Sequence, residues 1–106
     1  MLAERTRHVQ LIALEVKDAA LYSRYREGMT PILHAHGGAF GYDFIVSQVL
    51  KAEVPAAVNR VFTLLFPDAA TAERFFANAE YRAVRAQYFE PAVGQITRIA
   101  AFDQPL

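Results

Sequence analysis

Two histidines and two glycines stand together in the stretch His-Ala-His-Gly-Gly at positions 34–38. Side chains two positions apart on a helix point about 200° apart, whereas a two-histidine metal site on a helix uses residues four apart. The spacing therefore predicts no metal site. The glycines are typical of a helix end, where a partly protonated imidazole would interact favourably with the helix dipole. His36 alone continues the apolar stripe of that helix, so it is also a candidate general acid or base.

Charged side chains also occur within segments that are otherwise apolar and β-branched. Arg60 could hold a carboxylate or enolate through two hydrogen bonds, with Asp43 or His36 as the proton-transfer group. The alternative is a position at a sheet edge, or an Arg–Asp pair across a dimer, because buried charge is costly unless it is paired. We take His36, Arg60 and Asp43 as the candidate catalytic residues. The other polar residues of this kind are Gln10, Thr63, Thr97 and Arg98.

Aromatic side chains could supply the apolar walls of a ligand site near these polar groups. The predicted ligand-binding residues are Tyr25, Phe40, Tyr42, Phe44 and Phe62, with Phe66 as a further wall. A phenol could donate to a substrate oxygen; alternatively, Tyr22 and Tyr25 lie at the edge of the core with their hydroxyls at the surface. Several arginines occur at helical spacing and are expected on solvated helix faces. They are Arg24, Arg26, Arg74, Arg82 and Arg85.

The strands that must position these residues are short runs of apolar and β-branched residues. Four strands are predicted, at residues 8–16, 39–50, 59–66 and 93–102. Gly41 lies inside the second strand and is a candidate for a β-bulge or a close backbone approach. Residues 51–58 are expected to form a loop.

The helices are predicted from N-caps and from apolar residues three and four positions apart. Asp18 begins a helix that extends to His36, and Pro31 within it predicts a kink or a restart. Asp68 begins a second helix, which ends near Ala77. A further helical stretch is predicted at residues 81–89, with Tyr81, Val84 and Tyr88 on one stripe, and Pro91 closes it.

The resulting order is β-α-β-β-α-β, which predicts an α+β, ferredoxin-like fold with one antiparallel four-stranded sheet and both helices on one face. We expect a single domain over residues 1–106, with its core at about 8–103. Both faces of the first and third strands are apolar, yet the helices can cover only one face. The uncovered face therefore predicts a homodimer in which two sheets face each other.

Composition excludes several classes of function. Net charge is zero, with 11 basic and 11 acidic residues that are not segregated, which disfavours nucleic-acid binding. The absence of cysteine excludes disulfides and thiol catalysis. No apolar run is long enough to span a bilayer, and no signal-peptide pattern occurs, so we expect a cytoplasmic protein with no membrane partner. No metal site and no tightly held cofactor are predicted.

The order of several motifs resembles a known family. These motifs are Tyr22-x-x-Tyr25-Arg26, Pro31, Gly37-Gly38, Phe62–Phe66 followed by Pro67-Asp68, Phe75-Phe76, and Tyr81 with Arg85 after it. The pattern is similar to the family called domain of unknown function 1330 and covers about residues 8–103. The resemblance implies a dimeric α/β barrel and carries no established reaction. Relatives in the wider superfamily include monooxygenases without cofactors, isomerases, haem enzymes and stress-responsive proteins.

These observations favour a small homodimer that binds a small apolar or carbonyl-containing metabolite. If it is catalytic, isomerase, lyase or monooxygenase-like chemistry without a cofactor is expected, because such reactions need one base and one anion-stabilising group in an apolar cavity. The alternative is a structural or regulatory dimer module with a fully packed interior. A cavity lined by His36, Arg60 and Asp43 would favour the first hypothesis.

Overall fold

The computed structural model describes residues 5–55 and 57–106 and confirms the predicted β-α-β-β-α-β order. The second helical region consists of several consecutive segments. The elements are β1 (Thr6–Val16), α1 (Ala19–Ala35), β2 (Ala39–Ile45), β3 (Arg60–Phe66), α2 (Ala69–Ala77), α3 (Ala79–Val84), a π-helical turn (Arg85–Phe89), α4 (Glu90–Ala92) and β4 (Val93–Pro105).

The four strands form one antiparallel sheet in the order β2-β3-β1-β4. The central strand β1 pairs with both β3 and β4, so that Ile12 lies opposite Phe62 on one side and Arg98 on the other. A register shift between Phe40 and Asp43 places a bulge at Gly41, as predicted. This topology is the α+β, ferredoxin-like fold expected from the sequence.

The core lies between the helices and one face of the sheet. The strands contribute alternate residues, such as Ile12 and Leu14 of β1, which shows that the helices pack on a single face. The buried core residues of the helices are Tyr22, Tyr25, Met29, Leu33, Ala72, Phe75, Tyr81, Phe89 and Ala92.

The opposite face of the sheet is also apolar, as the sequence predicted. It carries Val9, Leu11 and Ala13 of β1, which alternate with the residues of the helix side; Val9 and Ala13 are each 4% exposed. Val61 and Leu65 extend this surface on β3. We call it the open face. Its aromatic side chains are about half exposed: Tyr42 is 67% exposed, Phe44 54% and Phe102 45%.

The helices begin at side-chain caps. The carboxylate of Asp18 accepts from the Leu21 amide at 3.0 Å, and that of Asp68 accepts from the Thr71 amide at 2.7 Å, which confirms both predicted N-caps. Asn78 caps α3 in the same way, so a new helix begins directly after α2 ends at Ala77. No helix within residues 5–55 and 57–106 is both long and apolar enough to cross a membrane.

The end of α1 has the form that the two glycines predict. Gly37 adopts φ +73°, its amide donates to the carbonyl of His34, and the Gly38 amide donates to the carbonyl of Leu33 at 2.9 Å. This pair of bonds is a Schellman motif, in which glycine adopts the left-handed conformation without strain.

Some expectations about the elements were wrong. Pro91 does not close the last helical stretch, because it lies inside α4 and the strand β4 begins only after Ala92. Of the kink or restart predicted at Pro31, the restart does not occur, because α1 continues through the proline and the buried residues Met29 and Leu33 hold both sides of it to the core. Strand β2 ends at Ile45 instead of residue 50. Its pairing stops soon afterwards, with a bond from the Val46 amide to the Asn59 carbonyl, because the following side chains find no core to cover them.

Candidate functional site

Two of the predicted catalytic residues meet at the edge of the sheet. Arg60, the first residue of β3, donates from Nε and Nη2 to the two carboxylate oxygens of Asp43 on β2, at 2.8 and 2.9 Å. Arg26 of α1 donates to the same two oxygens, each at 3.2 Å. Asp43 thus joins a helix to the sheet through four charge-assisted hydrogen bonds. Arg26 was expected on a solvated face; only 17% of its side chain is exposed.

The electrostatics of this Arg26–Asp43–Arg60 cluster suit a structural ion pair. Hydrogen bonds from Arg60 lower the pKa of Asp43, and Asp43 in turn raises the pKa of Arg60. The guanidinium of Arg26 also stacks on the ring of Phe40 at 3.9 Å and donates to the Tyr22 hydroxyl at 2.8 Å. A carboxylate that accepts four hydrogen bonds and has a lowered pKa is a weaker base than usual, so the geometry offers little for proton transfer.

His36 lies far from this cluster. Its ring stands edge-on to Phe75 at 5.6 Å, and Phe75 packs on Phe66 at the end of β3 opposite to Arg60. Because β3 has seven residues, about 20 Å separates its two ends. The Nδ1 of His36 lies 2.8 Å from the carbonyl oxygen of Ile32, which can only accept, so this nitrogen carries the proton. The structure therefore does not bring His36 to Arg60 and Asp43.

The predicted aromatic walls are divided between the two faces of the sheet. Phe40 and Phe62 contact each other edge-on at 5.6 Å on the helix side. Tyr42 and Phe44 stack at 5.7 Å on the open face, beyond the reach of that pair. Tyr25 is buried in the core. Only Tyr25 and Phe62 of the predicted set line the cavity described next.

A cavity of about 460 Å³ lies between the helix side of the sheet and the segments α1, α3 and the π-helical turn. Its apolar walls include Ile12, Met29, Phe62, Leu64, Phe89 and Ile96. The volume lies within the range of small-molecule sites, and the mixture of apolar walls with a few polar groups is typical of them. We call it the main cavity.

Two buried tyrosines supply polar groups to the main cavity. The hydroxyls of Tyr25 and Tyr81 lie 2.9 Å apart. Burial raises the pKa of both phenols, so both keep their protons at neutral pH, while the charge of Arg85 partly opposes this shift. One hydroxyl hydrogen lies between the two oxygens, and the other is left to donate to a third acceptor. The pair is thus a hydrogen-bond donor in an apolar cavity.

A second hollow, of about 530 Å³, adjoins the main cavity and shares Gln10 and Arg98 with it. Here the Nδ1 of His8 lies 3.1 Å from a carboxylate oxygen of Asp103, and its Nε2 lies 3.3 Å from the amide nitrogen of Gln10. The carboxylate fixes the proton on Nδ1, which leaves Nε2 as the acceptor. Glu73 of α2 lines the same hollow.

Several residues that line the main cavity and the second hollow were not predicted as site residues from the sequence. Tyr81 was placed on an apolar stripe, and Arg82 and Arg85 on a solvated face, although all three line the main cavity. His8 was not singled out. A usable signal was Gln10, a buried polar residue in phase with Ile12 on the core side of β1.

The fold has counterparts among solved structures. A protein of unknown function from Rhodopseudomonas palustris is 16% identical over 96% of this chain and 82% of that chain, with a TM-score of 0.74. A dabb family protein with a ferredoxin-like fold from Mesorhizobium loti is 16% identical, with coverages of 94% and 96% and a TM-score of 0.62. A dimeric protein of unknown function from Bacteroides fragilis is 8% identical, with coverages of 94% and 96% and a TM-score of 0.51. At these identities the similarity concerns the fold alone.

The comparison with curated proteins finds no match. The model of one protein family, the domain of unknown function DUF1330, matches residues 10–101. This range includes Gln10, the tyrosine pair and all three arginines of the main cavity. It also agrees with the resemblance noted in the motif order. The chain therefore belongs to the DUF1330 family.

Proposed function

We propose that this protein is a homodimer that binds a small, largely apolar, carbonyl-containing molecule in the main cavity. The observation that carries the proposal is the cavity itself, in which apolar walls surround the buried Tyr25–Tyr81 pair. A space of about 460 Å³ also favours binding over the alternative of a structural module with a fully packed interior.

The tyrosine pair suits a carbonyl oxygen. The hydroxyl hydrogen that is not shared between Tyr25 and Tyr81 would donate to that oxygen, and the nearby charge of Arg85 would strengthen the donor. The same groups would stabilise an enolate, the charge that develops in isomerase, lyase or monooxygenase-like reactions at an activated carbon. His36, Arg60 and Asp43 lie outside the main cavity, and a catalytic role for them stays a prediction.

The homodimer is proposed from the open face. Tyr42, Phe44 and Phe102 leave a broad apolar surface about half exposed, which monomeric proteins rarely tolerate. Packing the open faces of two copies together would bury this surface and form the α/β barrel. The Bacteroides fragilis protein of the same fold is described as dimeric.

Binding is tested with phenylnaphthylamine, a neutral dye that fluoresces in apolar sites. We expect the wild-type protein to bind it and Ile96→Trp to prevent binding, because Ile96 is a partly exposed cavity residue whose enlargement fills the space. Ile45→Trp is the matched control, since Ile45 is 82% exposed and outside the cavity. Dye binding that survives Ile96→Trp, or its absence in the wild type, would contradict the proposal.

The dimer is tested by light scattering. We expect a dimer for the wild type and a monomer for Phe44→Glu, which places a charge within the apolar interface. Ala70→Glu adds the same charge to the exposed first turn of α2 and should stay dimeric. A wild-type monomer would refute the dimer and leave the cavity proposal intact.

A further inference from the structure

We infer that the molecule bound in the main cavity carries an acidic group, which Arg82 and Arg98 hold at the mouth of the cavity. This inference rests on the proposed function and adds the chemical class of the ligand. It follows from the charges that surround the cavity and from where they lie.

Positive charge is concentrated around the apolar walls of the main cavity, although the chain as a whole has no net charge. Its lining includes the three arginines Arg82, Arg85 and Arg98, and no aspartate or glutamate among the described residues. The chain has 11 basic and 11 acidic residues and therefore no net charge. The excess of positive charge is therefore local to the main cavity. Such a local excess favours the binding of an anion.

Two of the three guanidinium groups have no carboxylate partner in the part of the chain that is described. Arg85 lies 3.6 Å from a carboxylate oxygen of Glu90. For Arg82 and Arg98, no ion pair within 4.0 Å occurs among residues 5–55 and 57–106. This contrasts with Arg26 and Arg60, whose charges share Asp43.

Arg82 and Arg98 flank the cavity from different elements. Arg98 of β4 lies opposite Ile12 in the sheet register, on the face that lines the cavity. Arg82 of α3 directly follows the buried Tyr81. Both arginines are exposed, whereas Tyr25 and Tyr81 are 5% and 3% exposed. A ligand would therefore place its carbonyl against the phenols and its acidic group between the arginines.

The second hollow indicates on which side of Arg98 the acidic group of the ligand lies. It shares Arg98 with the main cavity, and it is lined by Glu73. A carboxylate in this hollow would meet a like charge, which is unfavourable. The acidic group therefore belongs on the main-cavity side of Arg98. The ligand class is a largely apolar organic acid that also bears a carbonyl group.

A matched pair of dyes tests the inference. Anilinonaphthalene sulfonate and phenylnaphthylamine share one aromatic skeleton and differ by a sulfonate group. We expect the wild-type protein to bind the sulfonate more tightly than the neutral dye. Arg98→Gln and Arg82→Gln should each weaken the sulfonate about fivefold and leave the neutral dye unchanged, as expected for an exposed charge pair. Arg24→Gln, an exposed residue of α1 outside the cavity, is the control.

The outcomes separate the two proposals. Equal binding of both dyes, each prevented by Ile96→Trp but unaffected by the arginine variants, overturns the acidic group and keeps the cavity as a binding site. Binding of neither dye, or binding that Ile96→Trp does not reduce, overturns the cavity proposal and the inference with it. A sulfonate preference that falls in Arg98→Gln and persists in Arg24→Gln supports both.

Discussion

The helix side of the sheet contains two polar regions, which differ in whether their charged groups are paired. In the Arg26–Asp43–Arg60 cluster, every guanidinium faces a carboxylate that is already shared. In the main cavity, Arg82 and Arg98 face no described carboxylate, and the tyrosine pair has a hydrogen left to donate. Charged groups that pair with one another stabilise the fold. Groups beside a cavity that can still form a hydrogen bond or an ion pair are available to a ligand.

The largest expected effect concerns the paired region. Asp43→Asn leaves two guanidinium charges, 17% and 26% exposed, without their shared carboxylate. We expect the free energy of unfolding to fall by about 1–2 kcal/mol. Urea denaturation measures this change, with the exposed Glu27→Gln on α1 as control. If Asp43→Asn instead bound phenylnaphthylamine more weakly at unchanged stability, this cluster would have a role in ligand binding and not in stabilising the fold.

Removing one hydroxyl of the tyrosine pair should have a smaller effect on stability. Tyr25→Phe or Tyr81→Phe leaves the other hydroxyl buried without its partner, at a cost of about 1 kcal/mol. The double variant should cost less than the sum of both, because no hydroxyl then lacks a partner. Urea denaturation of the three variants measures this non-additivity.

The same variants test the tyrosine pair as a ligand group. Acetonaphthone, a neutral aromatic ketone, should displace phenylnaphthylamine from the wild type and about fivefold less well from Tyr81→Phe. Equal displacement from both proteins would show that the phenols do not contact the carbonyl.

The stability of the paired region should also depend on pH. The pKa of Asp43 is lower in the folded chain than its usual value, so its stabilising contribution is complete above the unfolded pKa and is lost as the pH falls through the folded pKa. We expect the difference in unfolding free energy between wild type and Asp43→Asn to be constant from pH 7 to about 5 and to shrink below about pH 4. A constant difference down to pH 3 would contradict the ion pair.

The smallest expected effect on stability concerns the cavity arginines. Arg98→Gln removes an exposed charge that has no described partner, so the unfolding free energy should change by less than about 0.5 kcal/mol. Thermal denaturation at low and high salt measures it. A loss as large as that of Asp43→Asn would show that Arg98 is also part of the scaffold.

Much of the fold could be predicted from the sequence because its signals are local. The caps at Asp18 and Asp68 and the helix end at Gly37 depend on residues a few positions apart, and the structure confirms them. The apolar open face followed from strand alternation alone. The end of β2 depends instead on whether other elements cover Val46 and its successors, which periodicity does not reveal.

The candidate site was harder to predict because a cavity is a gap between elements. Asp43 and Arg60 stand out in the sequence as charges in apolar strands. Their ion pair compensates the cost of placing these charges there. Tyr81 and Arg85 follow ordinary helical spacing, and only the packing of the helical segments in three dimensions shows that space remains beside them. His36 continues the stripe of α1, but the helix carries it to the far end of the sheet.

The π-helical turn at Arg85–Phe89 has a consequence for how this family could diverge. Its backbone bond runs from the Glu90 amide to the Arg85 carbonyl, five residues back, so the turn holds one residue more than an α-helical turn needs. Deleting a single residue there would let the segment close as an ordinary α-helix, and it would turn the residues before the deletion, including Tyr81, by about 100° relative to those after it. The number of residues between Tyr81 and Pro91 would then distinguish relatives that share this cavity from relatives that share only the fold.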